Sequence, residues 1–331
     1  MKKIRIAQIG TSNNSHGSPI WKNLTRQSDL FEVVGYAFPE NEREKFARQM
    51  PKFEGFREMT VEEILNDPSI EAVTVETEEI HLTKYAIVAA KAGKHIHMEK
   101  PGGLSLEEFE ELIGIMKEKK LAFSTGYMYR FNPKIMEAME KIRRGDLGEI
   151  YSVEAHMDCA HAADVRSWLG TFPGGMLFFL GCHLIDLIYR IQGEPSEIIP
   201  LSCSSGQEGV TAQDFGMVVF KYPHGVSFAK TSAVERGGFR RRQLVICGEK
   251  GTIEIKPLEI AAEGGQYTVS SETYDTEWHV PWTTTESEVY NRYNLMLQNF
   301  AEAVRGKENP YSYDYELNLY KLILKSCGKG E

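Results

Sequence analysis

Short apolar runs alternate with helical patterns through the first 125 residues, and this alternation constrains the fold more than any other feature of the chain. Ile4 to Ile9, Phe31 to Ala37, Ala72 to Val75, Lys94 to Met98 and Leu121 to Thr125 read as strands. Val61 to Leu65 (closed by Asp67-Pro68), Thr83 to Ala92 (ended by Gly93) and Leu106 to Lys119 read as helices between them. Strands that are apolar throughout are covered on both faces, and joining them through helices makes them parallel. The order predicts a doubly wound α/β domain over residues 1–125, with ligand bound at the carboxyl ends of its strands.

The texture then changes. A helix over Pro133 to Arg144 and a Gly145-Asp146-Leu147-Gly148 turn lead into residues 151 to 159, which alternate strictly. Tyr151, Val153, Ala155, Met157 and Cys159 form one face, and Ser152, Glu154, His156 and Asp158 the other, the pattern of a half-buried strand. Asp214 to Tyr222, Val226 to Ser232, Gln243 to Cys247 and Thr252 to Ile255 add strands to one large, mostly antiparallel sheet. An apolar helix is expected over Gly174 to Ile191, and closing helices over Tyr290 to Val304 and Tyr315 to Ser326. At 331 residues two domains are expected. The second is placed at 126–331, with its last helices able to pack back on the first.

Composition narrows the partners. With 38 basic against 47 acidic side chains the net charge is -9, which disfavours nucleic acid or an anionic membrane as main partner. The basic run Arg236 to Arg242 reads as a solvated hairpin. Five scattered cysteines without a CxxC pair fit a reducing compartment and no structural zinc. No stretch approaches the about 20 apolar residues of a membrane span, and Met1-Lys2-Lys3-Ile4 runs into a strand without a signal-peptide core. The expected location is the cytoplasm.

Two places carry chemistry. The first strand-to-helix turn reads Gly10-Thr11-Ser12-Asn13-Asn14-Ser15-His16-Gly17, with serines at the second and third glycine positions of GxGxxG. Small residues here let backbone N–H groups approach a pyrophosphate, although a tight turn of no function looks the same. The second strand ends in Phe38, which cannot accept a ribose hydrogen bond; Glu40 is the next acid and Arg43 the nearest arginine. Glu99-Lys100-Pro101 follows the fourth strand and puts a lysine where ligand binds. Beside a nicotinamide that becomes cationic, a lysine gives up its proton more readily and suits exchange of a hydroxyl proton. The plain alternative is a surface lysine before a turn.

The stretch Ala92-Gly93-Lys94-His95-Ile96-His97-Met98-Glu99-Lys100-Pro101 resembles the AGKHVxxEKP signature of the glucose-fructose oxidoreductase, inositol dehydrogenase and MocA superfamily. Gly126-Tyr127-Met128-Tyr129-Arg130-Phe131-Asn132-Pro133 is similar to its GxxxRFxP segment. Trp168, Gly174-Gly175 and Gly181-Cys182-His183-Leu184-Ile185-Asp186 are similar to its W…GGG…DxGxHxxD stretch. The resemblance implies a Rossmann domain and an α/β domain whose open sheet forms a homodimer or homotetramer interface. It implies NAD or NADP as cofactor and hydride transfer on a sugar, polyol or related hydroxy or keto compound. Lys100 is the implied catalytic acid or base, and His183 the implied partner in orientation and proton transfer. Cofactor contacts fall on Gly10, Thr11, Ser12, Asn13, Ser15, Glu99, Lys100 and Pro101, with Thr77 and His81 in a TPxxxH-like loop one residue short. Substrate contacts fall on Tyr127, Arg130, Asp158, His161, Asp164, Arg166, Trp168 and His183.

Departures accompany the resemblance: Ser12 and Ser15 in the turn, Phe38 for the ribose acid, and Phe179 for the aspartate of DxGxH. Asp158 and Asp164 are candidate replacements for that carboxylate. His156, Asp158, His161, Cys182 and His183 lack the ligand spacing of a known site, and no metal is expected. Two other functions remain open: a redox-neutral reaction that recycles its cofactor in place, and a scaffold that kept the fold and lost the chemistry.

Overall fold

A computed structural model of the chain describes residues 2–329. It divides into two compact units, Met1–Tyr127 with Tyr293–Tyr320, and Met128–Arg292 with Lys321–Glu331. The first unit runs β1 (Ile4–Ile9), α1 (Gly17–Arg26), β2 (Phe31–Ala37), α2 (Glu42–Lys45), α3 (Val61–Asn66), β3 (Ala72–Val75), α4 (Leu82–Lys91), β4 (His95–Met98), α5 (Leu106–Lys119) and β5 (Phe123–Thr125). Its strands form one parallel sheet in the order β2-β1-β3-β4-β5. Ile6, Ala7, Ile9, Ala72, Val73, Val75, Ile96 and Met98 are buried, as strands covered on both faces require. The order runs outward from β1 in both directions, so β1 and β3 flank the switch point where such sheets bind ligand. Local chemistry sets the helix ends. Thr60 and Glu63 form a reciprocal capping box at α3, and the Ser105 hydroxyl accepts from Glu108 N at α5.

The second unit runs α6 (Pro133–Arg144), β6 (Ile150–Asp158), α7 (Ala163–Trp168), α8 (Cys182–Gln192), β7 (Glu197–Pro200), β8 (Phe215–Tyr222), β9 (Gly225–Ser232), β10 (Gln243–Gly248), β11 (Thr252–Ile255), β12 (Ile260–Ala262), β13 (Gly265–Tyr267), β14 (Val269–Thr273) and β15 (Thr283–Glu286). Eight strands form the sheet β15-β14-β11-β10-β6-β9-β8-β7, antiparallel except for β6 with β9. α8 packs on β6 and β9, over the buried Val153, Ala155 and Met157. The opposite face keeps Met217, Phe228 and Val245 half-buried.

Three expectations change here. Tyr151 stands 45% exposed instead of buried with the apolar face of β6. Asp158, expected on the polar face, is fully buried, because the chain at Gly238 crosses it so closely that a Cβ there would stand 2.7 Å from its carbonyl carbon. The apolar helix does not start at Gly174. Gly174 and Gly175 have φ of +67° and +51°, Leu177–Gly181 forms a π turn, and the α-helix begins at Cys182. A Cβ on Gly175 would fall 2.1 Å from Gln213 O, so glycine is required where the chain turns in.

The chain then returns to the first unit. α9 (Asn294–Val304) starts four residues later than the periodicity suggests, and α10 (Tyr313–Ser326) two residues earlier. Tyr320 stacks on Phe109 at 4.2 Å and donates to Gly103 O at 2.7 Å. Thr125 donates to Glu316 at 2.9 Å, and Asn309 to Phe123 O at 2.7 Å.

Candidate functional site

In the first unit the carboxyl ends of β1, β3 and β4 bring together the turn residues, Thr77 and Glu99-Lys100. Gly10 has φ +86°, and a Cβ on it would lie 2.4 to 2.7 Å from Thr77 side-chain and backbone atoms. Only glycine fits that turn. Gly17 opens α1, and a Cβ there would stand 3.1 Å from both Thr11 Oγ1 and Glu76 Cβ. Ser12 Oγ accepts from Asn14 N at 3.2 Å, and Ser15 Oγ from Gly17 N at 3.3 Å. The two serines thus tighten the turn with their own hydroxyls. Thr11 Oγ1 is buried with no hydrogen-bond partner, while Thr11 N donates to Glu42 at 3.1 Å.

The lysine is no surface residue: Lys100 and Glu99 are 2% and 1% exposed, with Nζ 3.6 Å from Oε1. His16 Nδ1 lies 3.1 and 3.2 Å from the two Glu99 oxygens. Burial pushes the Glu99 carboxyl up, but the His16 and Lys100 charges outweigh it and hold the group at about 2. Its neighbours behave oppositely. Burial, aided by the Glu99 charge, raises Glu76 well above the carboxylate range, and burial raises Glu79 to about 7 and Glu42 to about 9. Burial also lowers His97 to about 4, and its Nδ1 meets Ser124 Oγ at 2.8 Å. None of Glu42, Glu76, Glu79 or His16 stands out in the sequence as a site residue. The available signal for Glu76 is position, since it ends β3 as Glu99 ends β4.

The remaining expected residues of this unit are placed as follows. His81 is half-buried and precedes α4, Pro101 is buried beside Lys100, and Tyr127 is 1% exposed. Phe38 packs against Tyr36 and Phe53 at 4.7 and 4.9 Å, so an aromatic cluster occupies the end of β2. Glu40 accepts from Tyr85 Oη at 2.8 Å and from Lys84, which hold it ionised at about 2.

In the second unit His183 lies buried in the first turn of α8, with the Tyr129 ring edge-on at 5.2 Å. Tyr129 donates to Glu259 at 2.6 Å, and Glu259 also takes Arg292 at 2.6 Å and Arg242 at 3.3 Å. Arg130 holds Asp186 through Nε and Nη2 at 2.8 to 3.1 Å, both side chains buried. Arg166 is likewise engaged, with Asp214 at 3.1 Å, Gln207 O and Glu208. Asp158 meets Lys230 at 3.1 Å, and burial raises its carboxyl. Asp164 is exposed and accepts from Val165 N. His161 is half-buried, its imidazole lowered by burial. Phe179 packs edge-on to Trp168 at 5.1 Å and parallel to Phe172 at 6.2 Å, so that this position carries an aromatic wall. Among the described residues no three His, Cys, Asp or Glu side chains converge as a metal site, and no helix is long and apolar enough to cross a membrane.

A glycine turn feeding a helix N-terminus, an orphaned Thr11 hydroxyl and a buried lysine at the strand ends fit a dinucleotide. The class defined by this fold is a Rossmann-type α/β protein with a second α/β unit. Residues 4–127 match the model of an oxidoreductase family with an NAD-binding Rossmann fold, and residues 135–254 match the GFO/IDH/MocA C-terminal domain. The chain belongs to the Gfo/Idh/MocA oxidoreductase family.

Among its relatives, the uncharacterized oxidoreductase YhhX of Escherichia coli is 34% identical over 42% of this chain and 40% of its own length. This chain thus spans less than half the length of that relative. The scyllo-inositol 2-dehydrogenase (NAD(+)) of Bacillus subtilis is 27% identical over 78% of this chain and 74% of its own. The solved aldose-aldose oxidoreductase of Caulobacter crescentus superposes with a TM-score of 0.79 at 19% identity, covering 100% of this chain and 99% of that one, a likeness of fold.

Proposed function

We propose that the protein is an NAD(P)-dependent dehydrogenase or reductase of a sugar, polyol or related hydroxy or keto compound. The observation that carries this reading is the buried Glu99–Lys100 pair at the carboxyl end of β4, beside the switch point of the sheet. A solvated lysine costs the fold nothing, whereas one 2% exposed with an ionised partner must be held there against desolvation. The family description and the inositol dehydrogenase support the cofactor and the substrate class.

In this reading Gly10, Thr11, Ser12, Asn13 and Ser15 hold the pyrophosphate at the start of α1, and Thr77, His81 and Pro101 line the cofactor. Bound nicotinamide supplies the hydride donor or acceptor. Lys100 Nζ exchanges the proton of the substrate hydroxyl, and Glu99 balances the ammonium when Lys100 carries it. His183, which has the Tyr129 ring edge-on against it, takes the role in substrate orientation and proton transfer that the family resemblance assigns to it. By fixing Asp186 one turn along α8, Arg130 sets the helix that carries His183. Asp158, His161, Asp164, Trp168 and Tyr127 provide substrate contacts, with Arg166 bracing the loop through Asp214.

The reading includes a cytoplasmic location and a homodimer or homotetramer formed through the sheet face that carries Met217, Phe228 and Val245. Sedimentation velocity checks the assembly, and a monomer at micromolar concentration contradicts it. Titration with NADH and NADPH, followed by nicotinamide fluorescence, tests the cofactor; a screen of polyols and keto sugars tests the substrate. Micromolar binding and net reduction of added NAD or NADP are expected. Conversion without net reduction favours cofactor recycling, and absence of binding favours a scaffold.

A further inference from the structure

We propose that His16 is a positioning residue for Lys100, acting through the Glu99 carboxylate that both side chains share. The inference rests on Lys100 as the proton-transfer group. His16 belongs to the turn before α1, 83 positions from Glu99, yet its Nδ1 meets both carboxylate oxygens. Lys100 Nζ approaches one of those oxygens at 3.6 Å. Within this triplet Glu99 and Lys100 are shut from water, and the His16 side chain, 21% exposed, is the member that reaches it. The surrounding titratable groups are Glu76 and Glu79 from the segment after β3 and His97 from β4, all shifted by burial towards their neutral forms; the Tyr293 ring before α9 lies 5.7 Å from the imidazole.

In a dry site a carboxylate divides its stabilisation between its donors, since water cannot compensate either one. Without His16 the whole of Glu99 faces Lys100, and the ammonium is favoured. Without the charge of Glu99 the ammonium loses its counter-ion, and the amine is favoured. The two changes therefore act on Lys100 with opposite sign, which a merely structural pairing would not do. The arrangement also ties the pyrophosphate turn to the proton-transfer group, because His16 immediately precedes the first residue of α1.

The test compares kcat/KM against pH for the wild-type holoenzyme, His16→Asn and Glu99→Gln. The limb assigned to Lys100 should move up by about one pH unit in His16→Asn and down by about one unit or more in Glu99→Gln. The cofactor-free protein, labelled with 15N-lysine, provides a readout independent of turnover. There the Nζ resonance of Lys100 should titrate in the same order: Glu99→Gln, wild type, His16→Asn. Shifts of the same sign, or an unmoved limb and resonance in His16→Asn, overturn the proposal. Should Glu99→Gln fail to fold, the sign of the His16→Asn shift decides alone. Full turnover in Lys100→Ala defeats the functional reading instead, and the resonance order then still decides the coupling.

Discussion

Around the carboxyl ends of β1, β3 and β4 four glutamates, Glu42, Glu76, Glu79 and Glu99, are buried, and cations hold just one of these four, Glu99, ionised. Burial without a matched cation favours the neutral acid, so Glu42 keeps its proton in the folded chain up to about pH 9 and loses it near 4.5 once unfolded. Its contribution to stability is therefore full below about pH 4.5 and declines as pH rises towards 9. Glu42→Gln should flatten this decline. Urea midpoints of both proteins across that window check it, and a variant that loses stability as steeply as the parent contradicts it. Glu99-Lys100 was legible in the sequence because both residues directly follow a strand. Glu42 was not, because its contact with Thr11 spans 31 positions and depends on how α2 folds over the turn.

At the scale of elements, the turn after β1 and the start of α8 show where pattern reading succeeds and where it stops. Alternation of apolar runs predicts β1 to β5 because each strand is covered on both faces. Gly10→Ala would drive a Cβ into Thr77 backbone at a φ of +86°, and should cost about 1–3 kcal/mol while weakening NADH binding. Thermal unfolding and fluorescence titration check it; an alanine variant with parental affinity contradicts the close approach. The π turn before α8 was not legible, since Leu177 to Leu180 are as apolar as the helix that follows and Gln213, which forces glycine at 175, is distant in sequence. The Arg130–Asp186 pair anchors the same helix. Arg130→Ala leaves a buried aspartate without its cation and should cost about 3–5 kcal/mol by urea unfolding. A double replacement with Asp186→Ala should recover part of that loss, and equal losses in the single and double variants contradict the pairing.

At the scale of the whole molecule, the division of the chain is discontinuous, with Tyr293–Tyr320 returning to the first unit. The sequence places helices at the end of the chain that are able to pack back on the first domain, but its patterning carries no signal for which residues they cover. That information lies in Phe109, Gly103 and Thr125, far away along the chain. Tyr320→Phe removes a buried donor to Gly103 O and should cost about 1 kcal/mol, whereas Tyr320→Ala also removes the stack on Phe109 and should cost about 3–5 kcal/mol. Equal effects of the two changes in denaturant unfolding would show that the ring contributes nothing beyond its hydroxyl.

Lys100 is proposed to move the substrate proton. Its most direct test is turnover of Lys100→Ala with the best polyol substrate, alongside NADH affinity of the same protein. A loss of kcat of at least about a hundredfold is expected, with a dissociation constant within a few-fold of the parent. Retained turnover with intact binding contradicts it.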